Sequence, residues 1–460
     1  MTHAPGTAAV WDALGGDPAL LSRISYLPRA GSLPARLPVI ELARACVGAC
    51  ALAGAELAAT RAGRPVADVQ VDDGAVATAF TSERHLLIDG RAPVNFAPLS
   101  RFWRTKDGWL RTHANYPHHR ARLRAALGVG EDATVEDVAE LLAGRSAFEV
   151  EETVYAAGGL AVALRTPEQW AAHPQGAAVA ARPLLTRERL DDAAPRDPDR
   201  ALRVLDLTRV IAGPVATRTL ALLGADVLRV DAPQLPEDPD AHADTGFGKR
   251  STRLDLRDGA DRRTFEELLA GADVVVTGYR PGALDRFGLT PQALVERRPG
   301  LVVASLSAWG AYGPWGGRRG FDSLVQVATG IAAVEGSAVE GSVERPGALP
   351  AQALDHGTGY LLAAGVLRAL TDQARDGGSR VLRCALAQTA AWLVNGVRSH
   401  PTPGAAGDAL DPGPWLAETD SALGRLRYAL PPVSFTGGPA DWARPPGLWG
   451  TDAPTWGTRA

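Results

Sequence analysis

The stretch from Arg203 to Asp231, RVLDLTRVIAGPVATRTLALLGADVLRVD, constrains the fold of this chain more than any other. The apolar run at 204–207 is typical of a buried strand, and the Ala/Leu-rich segment after the turn at 212–214 has helical spacing. Gly224 stands where a helix ends, and a second apolar run follows at 227–230. Strand, turn, helix and strand in this order predict a right-handed βαβ unit with parallel strands. The loop after the first strand and the helix N-terminus of such a unit suit ligands that carry phosphate groups.

The turn of this unit does not carry the glycine pattern of a dinucleotide site. AGPVAT has a single glycine where G-x-G-x-x-G requires three, and Pro214 removes a backbone donor. Asp231 ends the second strand, about 20 residues after the turn, where a ribose-binding acid would stand. Without the glycines this spacing is weak support. A ligand that contains a nucleotide fits the unit, and NAD is not the favoured one.

Composition and charge exclude several classes of partner and location. The formal net charge of −4 indicates no attraction to nucleic acid or to a membrane surface. Cys46, Cys50 and Cys384 form neither a disulfide framework nor a metal-binding spacing, and no His/Cys/Asp cluster suggests a metal. The segment MTHAPGTAAVWDALGG lacks the features of a signal peptide, and the most apolar run, 45–55, is too short to span a bilayer. We expect a reduced, cytoplasmic protein with no metal site.

Apolar runs and helical segments continue to alternate after residue 231, which predicts a doubly wound parallel sheet. The segment 81–190 has a different texture, with short strands and helices, and predicts a smaller α/β domain. A polar, proline-containing stretch at 191–199, DDAAPRDPD, predicts a linker between the two. The tail from residue 401 is rich in Pro, Gly and Trp, and we expect it to wrap a surface.

Two long segments resemble each other. One begins at Leu37 with LPVIELARACVGACALAGAELAATRAGRPVADVQV, and the other begins at Leu349 with LPAQALDHGTGYLLAAGVLRALTDQARDGGSRVLRC. Both read as Leu-Pro, a helix, a glycine-containing break, a strand and a second helix. The repeated unit is too long for a solenoid. The pattern predicts two incomplete copies of one larger protein.

Five ordered blocks resemble the class III CoA-transferases, the family that includes formyl-CoA transferases and carnitine CoA-transferases (CaiB/BaiF type). The blocks are RVLDLTRVIAGP, LGADVLRVD, GKRSTRLDLRD, GYRPGALDRFGL and SLSAWGAYGPWGGRRGFD. Residues 201 to about 395 resemble the N-terminal large domain of that family. FWRTKDGWLRTHANYPHHRARLRAALG and VALRTPEQWAAHPQ resemble its small domain and closing helices.

The resemblance implies a Rossmann-like, doubly wound CoA-binding domain interlocked with a smaller α/β domain. It divides the chain into a degenerate partial copy of the large domain at 1–80, the small domain at 81–190 and a linker at 191–200. The CoA-binding domain with the catalytic aspartate follows at 201–400, and a wrapping tail at 401–460. Because family members form interlocked dimers, we expect a homodimer. Whether the small domain pairs within the chain or across a dimer stays open.

The resemblance makes Asp355, in ALDHGTG, the nucleophile that attacks an acyl-CoA thioester. The alternative is a helix N-cap, because Asp is common at that position in any protein. Gly357 and Gly359 would allow close approach of the substrate and offer N–H groups to an oxyanion. In the first repeat Ala43 takes the place of Asp355, which implies one site per chain.

The resemblance also gives a set of positions that would contact CoA, whose phosphates require cations and free N–H groups. Any single arginine among them could instead be a solvated surface charge. These positions are Ile211, Ala212, Leu254, Asp255, Leu256, Arg257, Gly278, Tyr279, Arg280, Arg286, Arg319 and Phe321.

Phe321 discriminates between branches of the family. Racemases carry a histidine at this position to exchange a proton with the catalytic aspartate, whereas this chain reads Gly320-Phe321-Asp322. His356 is interpreted as a partly exposed residue at a helix start, and His113, His118 and His119 as surface residues. The favoured function is therefore transfer of CoA between an acyl-CoA and a small carboxylic acid. An acyl-CoA racemase or epimerase and a non-catalytic CoA-thioester-binding subunit are the alternatives.

Overall fold

The structure is a computed structural model that describes residues 5–197, 200–339, 342–398 and 409–457. The predicted tail at 401–460 therefore lies partly outside the described residues. The helices of the first 190 residues are α1 (Pro5–Ala13), α2 (Val39–Ala62), α3 (Asp73–Phe80), α4 (Ser82–His85), α5 (Pro117–Leu127), α6 (Val135–Ala143), α7 (Ala147–Ala156), α8 (Pro167–Ala172) and α9 (Pro174–Ala180). The strands of the same part are β1 (Ile24–Leu27), β2 (Val69–Asp72), β3 (Leu87–Ile88), β4 (Phe102–Arg104), β5 (Trp109–Thr112), β6 (Ala161–Ala163) and β7 (Leu185–Arg189).

The remaining elements follow the same alternation that the sequence predicts. The helices are α10 (Ala212–Leu222), α11 (Pro239–Thr245), α12 (Gly259–Gly271), α13 (Pro291–Arg297), α14 (Asp322–Ala328), α15 (Ile331–Val334), α16 (Ala353–Asp376) and α17 (Leu386–Asn395). The strands are β8 (Arg203–Leu207), β9 (Asp226–Asp231), β10 (Arg250–Arg253), β11 (Val274–Thr277), β12 (Val302–Ser307), β13 (Ser337–Val339), β14 (Ser342–Arg345), β15 (Arg380–Ala385), β16 (Leu416–Ser421) and β17 (Gly424–Ala429).

A seven-stranded sheet with the order β10-β9-β8-β11-β12-β15-β7 forms the centre of the large domain. All neighbouring strands are parallel except β7, which runs antiparallel to β15 at one edge. Alternate side chains point to opposite faces. Val204 and Val276 contribute to a core with α2, α10 and α16, and Leu205 and Val275 to a second core with α12 and α13. Helices therefore cover both faces, and the predicted mixed α/β class with a large parallel sheet is confirmed.

The strand order reverses direction between β8 and β11. The chain proceeds from β8 outward to β9 and β10, then returns to β11 on the other side of β8. Loops that leave the carboxyl ends of two such strands diverge and open a crevice, the usual ligand position in sheets of this type. The opening βαβ unit, β8-α10-β9, forms one side of this crevice, as its sequence predicts.

The small domain has its own sheet, β4-β5-β6, and its own core. Helices α5, α6 and α7 cover this sheet with Leu123, Val138 and Val150. The segment after it leaves the small domain: β7 joins the large sheet, and Gln175 of α9 donates hydrogen bonds to the carbonyls of Trp309 and Tyr312 at 2.9 and 3.1 Å. The end of the predicted small-domain segment thereby ties the two domains together.

The two repeated segments have matching structures. α2 and α16 are each 24 residues long, and the residues before them, Pro38 and Gln352, have nearly identical backbone angles of −75°/62° and −74°/62°. β1 pairs in parallel with β2, as β12 does with β15. This register changes one sequence-based alignment: the third residue of α2 is Glu41, so Glu41 and not Ala43 corresponds to Asp355.

α2 lies against α16 in the centre of the molecule. It is long and apolar enough to cross a membrane by length and composition, but 89% of its most apolar window is buried inside the protein. Glu56 of α2 forms a buried ion pair with Arg368 of α16, and Cys46 and Cys50 are buried as small core residues. α2 thus serves as a core helix that joins the N-terminal segment to the large domain.

Candidate active site

A cavity of about 570 Å³ opens at the edge of the large sheet where the strand order reverses. Loops after β8, β9, β11 and β12 form its floor, and the start of α5 in the small domain forms its roof. The volume lies within the range of roughly 300–1,000 Å³ that is common for small-molecule sites. Both domains of one chain contribute to the wall, so within this structure the small domain pairs with the large domain of its own chain.

Asp355 lies in the first turn of α16 and lines the cavity. The residue is only 6% exposed, and its carboxylate accepts no hydrogen bond from any residue that the structure describes. The helix N-cap is Gln352, so the capping alternative does not account for this aspartate. Burial raises the pKa of Asp355 well above its ordinary value, and the charges of Asp322 and Glu83 raise it further. The site therefore contains a carboxylate without a protein partner, directed at a cavity.

Asp322, at the start of α14, binds a free backbone N–H in the first turn of α16, so the side chain of Asp355 is not needed for this purpose. Its Oδ2 accepts a hydrogen bond from the backbone N–H of Asp355 at 2.9 Å. Its Oδ1 accepts one from Gln326 Nε2 at 2.5 Å, and Gln326 Oε1 in turn binds the N–H of Leu349 at 2.9 Å. Complete burial raises the pKa of Asp322 to about 6, although these hydrogen bonds oppose the shift. Asp322 thus leaves the Asp355 side chain available to a ligand.

His356 is fully buried, so its interpretation as a partly exposed residue is wrong. Its ring stacks on Phe80 at 5.4 Å, and its Nε2 lies 3.4 Å from Oε2 of Glu83 in α4. Burial raises the pKa of Glu83, but the hydrogen bond and charge of His356 outweigh this effect and lower it. The N-terminal segment thereby places a carboxylate and its partner directly behind the turn that carries Asp355.

Two of the three histidines of the small domain, His113 and His119, are not surface residues, whereas His118 is partly exposed. His113 and His119 are 5% and 4% exposed, and His118 and His119 line the cavity. The ring of His113 stacks on Phe321 with centroids 3.7 Å apart and an angle of 2° between the planes. Burial lowers the pKa of His119 to about 2 and that of His113 to about 3, so both imidazoles are neutral near pH 7.

Glu237 connects the roof of the cavity to its floor. It accepts hydrogen bonds from Tyr116 Oη at 2.7 Å and from the backbone N–H of Val210 at 3.2 Å, and it pairs with Arg229 at 2.9 Å. Burial opposes ionisation, but Arg229 and Arg209 lower the pKa of Glu237 to about 2. Val210 has a φ of 72°, which is costly for a β-branched residue. The hydrogen bond from Glu237 thus stabilises the strained backbone of Val210, just before the N-terminus of α10.

Arginines give the cavity a strongly cationic wall. Arg209 pairs with Glu237, and Arg318 pairs with Glu152. Four others have no carboxylate partner within the described ranges: Arg122, Arg280, Arg286 and Arg319. Burial lowers the pKa of Arg319, and the neighbouring charges of Arg280 and Arg122 add to the effect. Unpaired guanidinium groups of this kind suit phosphate or carboxylate oxygens.

The structure brings most of the residues singled out from the sequence to this one cavity. Ile211 and Arg257 are not among its lining residues: Ile211 precedes α10 and packs against the core, and Arg257 is exposed and pairs with Asp255 at 2.8 Å. The predicted residues that do line it are Ala212, Leu254, Asp255, Leu256, Gly278, Tyr279, Arg280, Arg286, Arg319, Phe321 and Asp355.

The role expected for Gly357 and Gly359 is wrong. Both lie inside α16 and face protein, not the cavity. A Cβ on Gly357 would lie 2.9 Å from Leu42 of α2, and one on Gly359 would lie 2.6 Å from the carbonyl oxygen of Ala212. The glycines allow α16 to approach α2 and α10 closely, which places Asp355 against the cavity.

Sequence reasoning missed the residues that act across long separations. Tyr116, Arg122 and Glu237 carry no local motif, and Asp322 was read only as part of a Gly-Phe-Asp block. The one available signal was the run PHHR at the start of a predicted helix. This run places two histidines and an arginine at the start of a helix in the segment that resembles the family's small domain, so these residues could have been assigned to the site.

Comparison with known proteins locates the resemblance in the second half of the chain. The profile described as CoA-transferase family III matches residues 200–409. The acetyl-coenzyme A transferase nodX of Hypoxylon pulicicidum is 34% identical over 212 residues, which cover 45% of this chain and 35% of nodX. Formyl-CoA:oxalate CoA-transferase of Streptomyces coelicolor is 35% identical over 192 residues, or 39% of this chain and 46% of that protein.

The probable fatty acyl-CoA transferase Rv3272 of Mycobacterium tuberculosis is 34% identical over 216 residues. These residues cover 43% of this chain and 53% of Rv3272. A crystal structure of Rv3272 aligns with a TM-score of 0.39 at 33% identity, over 44% of this chain and 57% of that one. The chain spans between about a third and a half of the length of these relatives.

Proposed function

Residues 200–409 belong to CoA-transferase family III, and from this premise we propose that the chain moves CoA between an acyl-CoA and a small carboxylic acid. Asp355 is the proposed nucleophile. The observation that carries the proposal is the buried carboxylate of Asp355, which has no partner within the described residues and faces an arginine-lined cavity. The three phosphates of CoA require such cations, and the thioester requires such a nucleophile.

The cationic residues fit CoA in number and placement. Arg280 and Arg286 lie in the loop after β11, Arg319 in the loop before α14, and Arg122 in α5. They surround the cavity and would hold the phosphates while the pantetheine arm reaches Asp355. Named relatives act on CoA thioesters together with acids such as oxalate and glutarate. A small carboxylic acid is therefore the proposed second substrate.

The proposed reaction begins when the Asp355 carboxylate attacks the thioester carbonyl. The C–S bond breaks, CoA thiolate leaves, and an acyl-aspartyl anhydride forms. The thiolate then attacks the aspartyl carbonyl, which releases the donor acid and leaves an aspartyl-CoA thioester. An acceptor carboxylate repeats the two steps in reverse and regenerates Asp355. No proton is gained or lost, which suits a site whose neighbouring imidazoles are neutral.

Four further features belong to the proposal. The chain consists of two partial copies whose large and small domains interlock, and the matching torsions before α2 and α16 support this origin. The N-terminal copy has Glu41 at the position of Asp355 but lacks strands equivalent to β8–β11 within the described residues, so it forms no second CoA site. A homodimer and a cytoplasmic location also stay proposals.

Mass spectrometry after mixing the protein with acetyl-CoA tests the assignment. A covalent adduct should form on Asp355, and Asp355→Asn should lower exchange of label between acetyl-CoA and acetate by about 10³-fold or more. The dissociation constant of CoA should stay within about threefold of its value for the unaltered protein, because the substitution only replaces one carboxylate oxygen by an amide group of similar size. Asp255→Asn, at a carboxylate elsewhere in the same cavity, should retain the adduct on Asp355. Full exchange by Asp355→Asn would refute the nucleophile.

The same mixture in deuterated water separates the second candidate function. A racemase or epimerase is the second candidate because of one observation: an imidazole, that of His119, lines the cavity beside Phe321, although its lowered pKa makes it a weak base. Deuterium at the α-carbon of recovered acetyl-CoA, with no label exchange into acetate, would assign that function. Binding without either event would leave a non-catalytic CoA-thioester-binding subunit.

A further inference from the structure

An aromatic residue, Phe321, lines the cavity of the proposed nucleophile and lies one residue before an aspartate that binds the nucleophile's backbone. Phe321 directly precedes Asp322, whose carboxylate accepts the hydrogen bond from the Asp355 N–H at 2.9 Å. Phe321 and Asp355 line the same cavity. An acyl group that is bonded to CoA must have its carbonyl carbon at Asp355, so its remaining atoms extend next to this ring. The identity of the ring therefore bears on the acyl group and not on the distant nucleotide.

The ring of Phe321 is supported from behind. His113 stacks on it at 3.7 Å and is not a lining residue, so it covers one face from outside the cavity. The backbone two residues before Phe321 is also fixed, because the carbonyl of Arg319 accepts hydrogen bonds from Tyr155 Oη at 3.0 Å and Trp309 Nε1 at 3.1 Å. A Cβ on Gly320 would lie 2.6 Å from Ala308, so this loop packs closely against its neighbours. The part of Phe321 that lines the cavity is thus held in one position.

Two further rings that line the cavity contact Phe321, and a third contacts one of these. His119 lies edge-on at 5.9 Å between centroids, Tyr116 lies at 6.2 Å, and His118 contacts His119 at 4.1 Å. Tyr116, His118 and His119 line the cavity, and the buried imidazole of His119 is uncharged. We call Phe321, Tyr116, His118 and His119 the ring cluster. Ring centroids 4.5–7 Å apart are the spacing at which aromatic groups attract one another.

We propose that the ring cluster is an acyl subsite that selects planar aromatic acyl groups, so that the substrates of the proposed transfer are aryl-CoA thioesters and aryl carboxylic acids. The inference rests on the proposed function for the position of the acyl carbon. A planar acyl group can stack on Phe321 or meet its edge, and His119 and Tyr116 surround it with further rings. A saturated group of the same size buries similar area but lacks the ring–ring attraction, which contributes about 0.5–1.5 kcal/mol in proteins.

Binding of a matched pair of thioesters tests the subsite without turnover. Benzoyl-CoA and cyclohexanecarbonyl-CoA carry six-membered rings on the same CoA, so the ratio of their dissociation constants cancels the nucleotide. Calorimetry with Asp355→Asn should give about two- to tenfold tighter binding of benzoyl-CoA, the ratio that corresponds to one ring–ring contact. Adding Phe321→Leu should bring the ratio close to one, because an apolar side chain remains and the ring is lost.

The control is Phe287→Leu in the same background, since Phe287 lines the cavity beside Arg286, one of the proposed phosphate-binding arginines. It should change both dissociation constants by the same factor and keep the ratio. Phe321→Met replaces the leucine variant if that protein does not fold. A ratio of one before any change at Phe321, or a ratio that survives the loss of the ring, overturns the subsite. Because the measurement is binding, it fails independently of the Asp355 adduct, which tests the transfer reaction itself.

Discussion

The first turn of α16 collects three carboxyl groups with different partners. Asp322 is bound by a backbone N–H and by Gln326, Glu83 lies against His356, and Asp355 has no partner among the described residues. Burial and the two neighbouring charges raise the pKa of Asp355. A carboxylate with a raised pKa is the more basic and stronger nucleophile once it is ionised. Asp322 and Glu83 therefore raise the pKa of Asp355 by their charges, without a hydrogen bond to its carboxyl group.

Asp322→Asn should move the acid limb of the pH–rate profile to lower pH. The reaction needs Asp355 as the carboxylate, so the rate falls as the pH drops through its pKa, which is raised. Asparagine keeps an oxygen that accepts the hydrogen bond from the Asp355 N–H but removes a negative charge, and the pair of Glu83 and His356 stays in place. The shift should appear in kcat/KM for CoA exchange measured between pH 4 and 8, because loss of the Asp322 charge lowers the raised pKa of Asp355. A lower kcat with an unmoved limb would mean that Asp322 acts only through the backbone.

At the scale of residues, the sequence predicts contacts that a motif carries and misses contacts that the fold creates. Asp355 and the loop positions around CoA came from five ordered blocks. His113 and His356 were misread because burial depends on partners far along the chain: Phe321 for the first, Phe80 and Glu83 for the second. No local pattern distinguishes a histidine that another domain covers.

The elements that carry the site are held at close range by glycine. The Cα of Gly359 lies so near α10 that a Cβ would meet the carbonyl oxygen of Ala212 at 2.6 Å and Val215 at 2.9 Å. α10 and α16 thereby share an interface just beside the cavity. Because Ala212 also lines the cavity, the distance between these helices sets the width of the site.

Gly359→Ala should lower the free energy of unfolding by about 1–3 kcal/mol, the usual cost of forcing an extra methyl group into a packed core. The backbone of α10 must move, since a carbonyl oxygen cannot rotate away as a side chain does. Gly365→Ala in the same helix is the matched control: its nearest atom would be Leu382 Cδ1 at 3.4 Å, an ordinary contact. That variant should be neutral or more stable by up to about 1 kcal/mol in urea unfolding, because alanine favours the helix. Equal losses in the two variants would contradict the packing argument.

At the scale of elements, the sequence predicts most of the large sheet. The apolar run at 204–207 lies in β8, the alternating segments after residue 231 contain β11 and β12, and the repeated segments contain α2 and α16. Pairing across domains was not predictable in the same way. β7 lies in a segment that reads as small domain, and only its antiparallel register with β15 shows where it belongs.

Both domains of one chain contribute residues to the wall of the cavity. Tyr116, His118, His119 and Arg122 from the small domain line the same cavity as Asp355 and the loops after β8, β9, β11 and β12. Glu237 ties the two domains together through Tyr116, while the large domain surrounds Glu237 with Arg209 and Arg229. One chain thus supplies residues from both domains to the wall of the cavity.

The specific activity should therefore stay constant when the protein is diluted to concentrations at which any dimer dissociates. Light scattering gives the oligomeric state at each concentration, and label exchange between acyl-CoA and acid gives the activity. Tyr116→Phe is the comparison variant, because it removes the hydrogen bond between the two domains at the buried Glu237. The lost hydrogen bond costs about 1–3 kcal/mol. The variant should therefore have a higher KM at every protein concentration. Activity that declines in step with the dimer fraction would place part of the site across two chains.

The short sheet of the N-terminal segment has one outer edge at β1, which pairs with β2 and with no other strand in the ranges described. Open strand edges invite further strands to add, which is a common origin of aggregation. β1 offers only Ile24–Leu27, and Pro28, which has no N–H to donate, follows at once. The N-terminal segment can thus keep a two-stranded sheet with an open edge at β1, because this edge is too short for the strands of other chains to add to it and form fibrils.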